Sequence, residues 1–209
     1  MIKMIKYILS RLKDDCKTGL LNDEDIKREF GSGVMIPGAI APFYPELVKK
    51  GLSFGLGSFG YDIRLSPYEF RVMEATGKLI DPKKQNKDDF HLQEVTIDST
   101  GAYFILPGNT FALGFAMEYI AMPPDVLAIC NGKSTNARAG LIVNITPVEP
   151  GWRGYLTIEI INPSPNPCKV YAAEGIAQLL FFKGKEPTTK YESRKYQDQP
   201  EEVVTAKVV

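Results

Sequence analysis

The sequence predicts a mainly β fold, an all-β barrel or sandwich preceded by helical segments. Between residues 68 and 185, short runs rich in β-branched and aromatic residues recur at close intervals. Gly, Pro, Asn or Asp separates these runs, as is typical of strands joined by turns. Strand and helix patterns do not alternate as they do in βαβ units, so a Rossmann-type fold is disfavoured.

Length and charge indicate one soluble domain that does not bind a polynucleotide. A chain of 209 residues can bury one core, and no repeat or clear boundary divides residues 1–209. The 25 Lys and Arg residues balance 25 Asp and Glu residues, whereas proteins that bind a phosphate backbone usually carry a basic excess. A local pocket for one small anion remains compatible with this balance.

Cysteine usage and hydropathy predict a cytoplasmic protein without a membrane segment. Cys16, Cys130 and Cys168 are widely spaced, odd in number and free of any CxxC motif, which favours reduced structural thiols. The first residues are apolar only in short bursts broken by Lys, without a cleavage site. No run approaches the ~18 apolar residues that a spanning helix needs.

The N-terminal part, residues 1–30, is predicted to be helical. Apolar residues recur there at spacings of three and four, and Asn22 precedes the acidic start of a second helix as an N-cap. Residues 31–60, rich in Gly and Pro, are predicted as loop. Residues 61–65 alternate as a short strand, with Tyr61 on its apolar face and with Asp62 and Arg64 paired in a salt bridge on the other.

Nine further strands are predicted between residues 68 and 185. They are Glu69–Met73, Val95–Asp98, Tyr103–Leu106, Phe111–Tyr119, Val126–Cys130, Leu141–Ile145, Leu156–Ile161, Lys169–Tyr171 and Ile176–Phe182. The tail from about 184 to 209 is too polar to form core. It is interpreted either as a frayed terminus or as a segment that orders over a bound ligand.

Several common catalytic chemistries are excluded by residue type. Zinc-dependent deamination of nucleobases requires His and Cys ligands in an H-x-E and P-C-x-x-C pattern, and the cysteines here lack that spacing. A Ser-His-Asp or Cys-His nucleophile would depend on His91, the single histidine. Gly132-Lys133-Ser134 resembles the end of a phosphate loop, but Leu127 stands where that loop requires glycine.

One carboxylate, Glu159, lies in a strand that is otherwise apolar or β-branched. The two-residue period places Thr157 and Glu159 on one face and the neighbouring Leu and Ile residues on the core face. A charge buried there unpaired costs several kcal/mol, so it requires a partner or a role. We interpret Glu159 as a general base and Arg138 as its partner, which would favour the ionised carboxylate.

A polar cluster precedes this strand. Ser134 is expected to cap a short helical turn that aims backbone N–H groups at an anion. Ser134 and Arg138 are four residues apart and therefore share a face if the segment is helical, and Lys133 adds positive charge. The cluster is interpreted as a cradle for phosphate and other polar groups.

The run from Gly132 to Asn162, GKSTNARAGLIVNITPVEPGWRGYLTIEIIN, closely resembles the core of the dCTP deaminases, a branch of the dUTPase-like superfamily. That family carries a G-(R/K)-S-(S/T)-x-A-R-x-G motif, an E-P-x-W or D-P-G-W turn and a strand with a catalytic Glu. Residues 21–27, 58–65, 174–182 and 195–199 resemble its other motifs in order. The resemblance extends over roughly residues 20 to 200.

The resemblance implies a distorted β-barrel, jelly-roll-like fold of the dUTPase type, assembled as a homotrimer with active sites between subunits. It implies hydrolytic deamination of dCTP to dUTP and ammonia without zinc, supplying dUTP or dUMP for thymidylate synthesis. Mg²⁺ would be bound through the nucleotide triphosphate rather than by a protein cage. It also implies inhibition by dTTP.

The resemblance further assigns the site residues position by position. Glu159 matches the catalytic glutamate, with Ser134 and Arg138 as its supporting polar residues. The predicted nucleotide-binding residues comprise a loop, two strand positions that contact the base through their backbone, one nucleotide contact and a closing tail: Lys133, Ser134, Thr135, Asn136, Ala137 and Arg138; Thr157 and Ile158; Gln178; and Tyr191, Lys195 and Gln199.

Departures from the family pattern keep alternatives open. Asn136 and Pro147 replace residues that are commoner in the motif, and the turn Glu149-Pro150-Gly151-Trp152 lacks the Asp that dUTPases use for their hydrolytic water. The missing Asp weakens the interpretation as a dUTPase-like or bifunctional nucleotidohydrolase that releases pyrophosphate without eliminating it, and this remains the second interpretation. A non-catalytic, nucleotide-binding trimer is the third.

Overall fold

The computed structural model describes residues 18–32, 38–191 and 194–207. The helix predicted within residues 1–17 lies outside the described residues. The described helices are α1 (Asp23–Phe30) and the five-residue α2 (Ser134–Arg138), with one 3₁₀ turn at Lys87–Asp89. The strands are β1 (Gly19–Leu20), β2 (Ala39–Ala41), β3 (Gly55–Leu56), β4 (Tyr61–Arg64), β5 (Arg71–Met73), β6 (Phe90–Leu92), β7 (Thr96–Asp98), β8 (Gly101–Leu106), β9 (Thr110–Ala121), β10 (Val126–Gly132), β11 (Ile142–Asn144), β12 (Arg153–Asn162), β13 (Cys168–Tyr171) and β14 (Gly175–Lys183).

These strands form three antiparallel sheets. In the first, β14 pairs with β1, β4 and β10, and β3 pairs with β4. The second runs β11-β12-β9-β5-β6, with β2 also on β9, and the third runs β13-β8-β7. The mainly β class is confirmed, and all nine strands predicted between residues 68 and 185 are present with ends shifted by a few residues.

Helix α1 starts where the sequence predicts. The Asn22 side chain accepts a hydrogen bond of 2.9 Å from the Asp25 backbone N–H, and acidic residues fill the first turn. Ile26 and Phe30, four residues apart, are fully buried, and Phe30 packs on Phe181 of β14. One apolar face thus fixes the helix to the first sheet.

Two sequence predictions about residues 31–65 are wrong. The segment 31–60, predicted as loop, contributes β2 and β3 to two sheets, because short strands between Gly and Pro give a weak signal. Asp62 and Arg64 were predicted to pair with each other. Instead, Arg64 forms a salt bridge with Glu118 of β9 at 2.7 Å, and Asp62 forms one with Lys133. Both pairings reach across the sequence and leave no local pattern.

The polar tail was predicted not to form core, and the structure corrects this at one residue. Val203 is fully buried in a second apolar cluster with Phe90, Leu113 and Phe115, apart from the main core. The tail therefore returns onto the second sheet.

Among the residues that the structure describes, no helix is long and apolar enough to cross a membrane.

Candidate active site

Strand β12 carries the predicted base. Leu156, Ile158 and Ile160 point into the main core, which confirms the predicted alternation. Thr157 and Glu159 lie half-buried on the opposite face. The pairing register with β9 shifts between Tyr155 and Thr157, so a bulge immediately precedes the two polar residues.

Thr157 and Glu159 open into a cavity of about 300 Å³. Leu113 of β9, Trp152 and the segment Ile145–Val148 form part of its wall. The tail closes another side through Tyr191, Tyr196, Gln199 and Val204–Ala206. Four residues of the sequence prediction, Glu159, Thr157, Tyr191 and Gln199, therefore lie in one place. Such a volume suits one small polar molecule in an otherwise apolar enclosure.

The carboxyl of Glu159 has an unusual environment. One of its oxygens, Oε2, is buried and has no hydrogen-bond partner among the described residues. Burial raises the pKa of Glu159 to about 7, and a hydrogen bond to its own backbone opposes the shift only in part. Near neutral pH this group can therefore both accept and return a proton.

The tail is held in place by hydrogen bonds from its backbone. The Val204 N–H donates to Thr157 Oγ1 at 3.3 Å, and the Ala206 N–H donates to the Gln85 side chain at 3.1 Å. Earlier in the tail, Trp152 Nε1–H donates to the Tyr196 carbonyl at 2.7 Å. The tail therefore lies along one side of the cavity, and its ordering over a bound ligand stays a prediction.

The polar cluster at α2 does not line this cavity. Arg138 is exposed on α2, and no ion pair joins it to Glu159 within the described residues, so the predicted pairing is not formed inside one chain. Ser134 is the first helical residue rather than the cap, because Lys133 occupies the cap position without a side-chain hydrogen bond to the helix. Asn136 is buried and donates to the Ile176 carbonyl, a structural contact.

Lys133 and Gln178 form a separate polar cluster with two residues that the sequence prediction missed as site residues. Lys133 Nζ makes an ion pair with Asp62 and donates to Ser53 Oγ at 3.1 Å. Gln178 Nε2 donates to the other oxygen of Asp62 at 3.0 Å. The Asp62 carboxylate therefore fixes both predicted nucleotide contacts. Asp62 lies within the matched segment 58–65, which was the available signal.

The remaining predicted residues are dispersed. Thr135 and Ala137 are exposed on α2, and the Ile158 side chain is fully buried. Lys195 donates through Nζ to the Lys207 carbonyl and does not line the cavity. His91 is exposed on β6, away from it.

Sequence reasoning also missed residues that hold the cavity in shape. Glu69 accepts a 2.7 Å hydrogen bond from the Val203 N–H, and Lys87 pairs with Glu202 at 2.8 Å. Together with Gln85 they anchor the tail from outside the matched motifs. No sequence pattern links these three residues to their partners in the tail, which are more than 110 positions away.

Across the described part of the chain, no three His, Cys, Asp or Glu side chains are grouped as a metal site.

Comparisons with known proteins agree with the motif resemblance. The family model of the dCTP deaminase-like proteins matches residues 20–184. The chain is 48% identical to a dCTP deaminase of Campylobacter fetus over 186 residues, covering 87% of this chain and 94% of that protein. It is 50% identical to a dCTP deaminase of Helicobacter pylori over 166 residues, covering 78% of this chain and 86% of that protein.

A solved structure shows the same fold. The crystal structure of a 2'-deoxycytidine 5'-triphosphate deaminase from Agrobacterium tumefaciens superposes with a TM-score of 0.57 at 20% identity, covering 80% of this chain and 48% of that one. The family match covers most of the chain, including α2, β12 and the cavity strands. The chain therefore belongs to the dCTP deaminase-like family.

Proposed function

We propose that this protein hydrolyses dCTP to dUTP and ammonia without zinc, with Glu159 as general base and acid. The observation that carries the proposal is the Glu159 carboxyl, facing a cavity of about 300 Å³ with its pKa raised to about 7 by burial. The names of the Campylobacter and Helicobacter relatives support the choice of dCTP.

The reaction requires one group that moves protons in both directions. Ionised Glu159 takes a proton from water as the water oxygen bonds to C4 of the cytosine ring, and passes that proton to N3. It then takes the proton of the new C4 hydroxyl and delivers it to the amine, so that C4 becomes a carbonyl. The C4–N bond then breaks and ammonia leaves. A pKa near the working pH is the best compromise for a group with both tasks.

The base-binding role proposed for Thr157 and Ile158 fits the edge of β12. Strand β11 pairs only with Glu159 to Ile161, so it does not cover the backbone at Thr157 and Ile158. Since the Ile158 side chain is fully buried, only its backbone can contact a ligand. Backbone donors and acceptors at such an edge can pair with a pyrimidine ring.

We propose that a homotrimer completes the site. Three isoleucines on neighbouring strands, Ile129, Ile142 and Ile161, are 36–51% exposed. Arg138 is exposed, and the buried oxygen of Glu159 has no partner in the described part of one chain. Docking a second copy on this face would cover the isoleucines and let Arg138 of one copy serve Glu159 of the next.

Subunit complementation tests this arrangement. E159Q and R138A are each expected to lose turnover as homo-oligomers. Co-assembled from equal amounts, they should regain activity at about a quarter of the sites, because one pairing in four unites intact residues from different copies. Activity that stays absent in a mixed oligomer would contradict a shared site.

Three further parts of the proposal follow from the substrate and the residues. Mg²⁺ is expected to bind through the triphosphate, and dTTP is expected to inhibit by competing with dCTP for the same site. Cys130 and Cys168 are free thiols, as is usual in the reducing cytoplasm, where we place the reaction. The product would feed dUTP or dUMP to thymidylate synthesis.

Product analysis tests the function directly. Purified protein is incubated with dCTP and Mg²⁺, with and without a zinc chelator, and ammonia and pyrophosphate are measured separately. We expect ammonia and dUTP in equal amounts, unaffected by the chelator. Pyrophosphate release would identify a nucleotidohydrolase, and tight nucleotide binding without turnover would identify a binding protein.

The E159Q variant tests the assigned base. Gln has nearly the shape of Glu but cannot take a proton, so the variant should keep its fold and bind dCTP while turnover falls by a factor of about 100 or more. Equilibrium binding and ammonia release are measured on the same preparation. Ammonia release at the wild-type rate would disprove the role.

A further inference from the structure

Next to Glu159 lies a second polar side chain without a partner. Strand β11 pairs with β12 in a register that places Asn144 directly opposite Glu159. Asn144 is exposed, and within the part of the chain that the structure describes its side chain makes no hydrogen bond. An exposed carboxamide without a protein partner therefore lies opposite a carboxyl whose oxygen Oε2 is buried and unpartnered among the described residues.

The sheet geometry brings the two groups within reach. Residues directly opposite on antiparallel strands project from the same face, with Cβ atoms about 4.5–5.5 Å apart. β11 is the outer strand of its sheet, so no further strand covers Asn144. A rotation about the Asn144 side-chain bonds is sufficient to direct Nδ2–H at the carboxylate.

Among the described residues, no Lys or Arg side chain lines the cavity around Glu159. Tyr191 and Tyr196 line the cavity as phenols, and the buried Cys130 thiol has its pKa raised to about 12 by burial first and by the Glu159 charge second. Arg71 lies in the same row across β9, but it is paired with Glu69. Among the neutral groups near the carboxylate, the Asn144 carboxamide is the donor that lies directly opposite it on β11.

We propose that Asn144 is a positioning residue that donates a side-chain N–H to the Glu159 carboxylate, holding it ionised and oriented for its work on the substrate. The inference rests on the proposed function of Glu159. A carboxamide favours the charged form without introducing a charge that would oppose protonation later in the cycle. It also limits rotation of the carboxylate about its last bond, which fixes the oxygen that accepts the proton.

The test compares a matched set of variants. N144L keeps the approximate shape of the side chain without its amide, and N144A removes it. Ile97→Ala is the control, because Ile97 is 76% exposed on β7 of the third sheet, outside the cavity and the proposed subunit face. Circular dichroism and gel filtration establish that each variant folds and assembles.

The direct readout is the titration of Glu159 itself. The carboxyl band is isolated as the infrared difference between each protein and the same protein carrying E159Q, and is followed from about pH 5 to about pH 9. Both N144L and N144A should raise the midpoint by about 0.5 to 1 pH unit, whereas I97A should leave it unchanged. The acid limb of kcat/KM for ammonia release should move by the same amount.

An unchanged or lowered midpoint in both Asn144 variants would overturn the proposal. The infrared titration requires no turnover, so the fate of the proposed function is decided separately. If the wild-type protein released no ammonia, that function would fail while the Asn144–Glu159 contact would still be measured. If the protein deaminates dCTP and the midpoint does not move, only the role of Asn144 fails.

Discussion

Two charged side chains, Glu159 and Lys133, are withdrawn from water in different ways. Lys133 is mostly buried, with its ammonium held by the Asp62 carboxylate and Ser53. Glu159 has no such partner among the residues that the structure describes, and its pKa rises to about 7 because burial favours the neutral form. A satisfied charge holds structure together, whereas an unsatisfied one is available for chemistry.

The pH dependence of stability should reveal the unsatisfied carboxyl. The folded-state pKa of Glu159 is raised from 4.5 to about 7, so the folded protein binds more protons than the unfolded chain across that window. Stability is therefore lost as pH rises through it. E159Q should be more stable than wild type above pH 7 by about 1–3 kcal/mol, with little difference below pH 4.5.

Urea unfolding of both proteins at acid and alkaline pH, at one protein concentration, measures this difference. Equal stability of wild type and E159Q above pH 7 would show that the ionised carboxyl does not destabilise the folded protein.

Removing the anion of the Lys133–Asp62 pair should destabilise the fold. Asp62→Asn leaves the Lys133 ammonium largely buried without its anion, which costs about 3 kcal/mol or more. The matched control is Asp198→Asn, which breaks a pair with Arg153 whose side chains are 54% and 58% exposed and should cost less than about 1 kcal/mol. Denaturant midpoints compare the two; equal losses would argue against a structural role for the buried pair.

At the scale of elements, the tail and β12 form one unit around the cavity. The tail has few apolar residues, yet Val203 is fully buried among Phe90, Leu113 and Phe115. Leu113 belongs to this cluster, lines the cavity and lies opposite Glu159 on β9. The same position of β9 therefore contributes to both the tail contact and the site. Backbone donors of the tail then complete the enclosure.

Val203→Ala should loosen the tail more than it destabilises the sheets. The lost contacts are worth about 1–3 kcal/mol, and most of that loss should be local opening. Hydrogen exchange at residues 203–206 should accelerate and the KM for dCTP should rise, because Tyr196 and Gln199 are then held less firmly. Glu201→Gln, at an exposed tail position, serves as the control. Unchanged exchange in V203A would show that Val203 is not the anchor.

At the scale of the whole molecule, one buried ion pair joins two sheets. Arg64 ends β4 of the first sheet and Glu118 lies in β9 of the second. Glu118 accepts from both the Arg64 backbone N–H and Nε, at 2.9 Å and 2.7 Å. The guanidinium also lies against the rings of Tyr44 and Phe54, with Cζ 4.8 Å and 4.7 Å from their centroids.

Removing one partner of this pair should be far worse than removing both. Glu118→Gln leaves the Arg64 charge uncompensated and should cost about 3–5 kcal/mol, whereas the R64M/E118M double variant should recover much of that loss. A double-mutant cycle from urea unfolding gives the coupling. Glu186→Gln, at an exposed position, should leave the midpoint unchanged. A double variant no more stable than E118Q would exclude charge isolation as the cause.

Local sequence patterns were sufficient for the strand class, the Asn22 cap and the two faces of β12. These features depend on residues a few positions apart, where side-chain period and capping chemistry act directly. The motif resemblance likewise identified Glu159, Thr157, Tyr191 and Gln199, which the fold brings to one cavity. It also indicated the segment that contains Asp62, without assigning that residue a partner.

Tertiary structure alone decided which charges pair and which remain open. Arg64 pairs with Glu118, Lys133 with Asp62, and Arg138 with no acid of its own chain among the described residues. The register between β11 and β12, which sets Asn144 against Glu159, is equally invisible in the sequence. Pairing across tens of residues depends on how sheets stack and align. An amino-acid pattern indicates which secondary structure each segment can form, but not which other segment it will pack against.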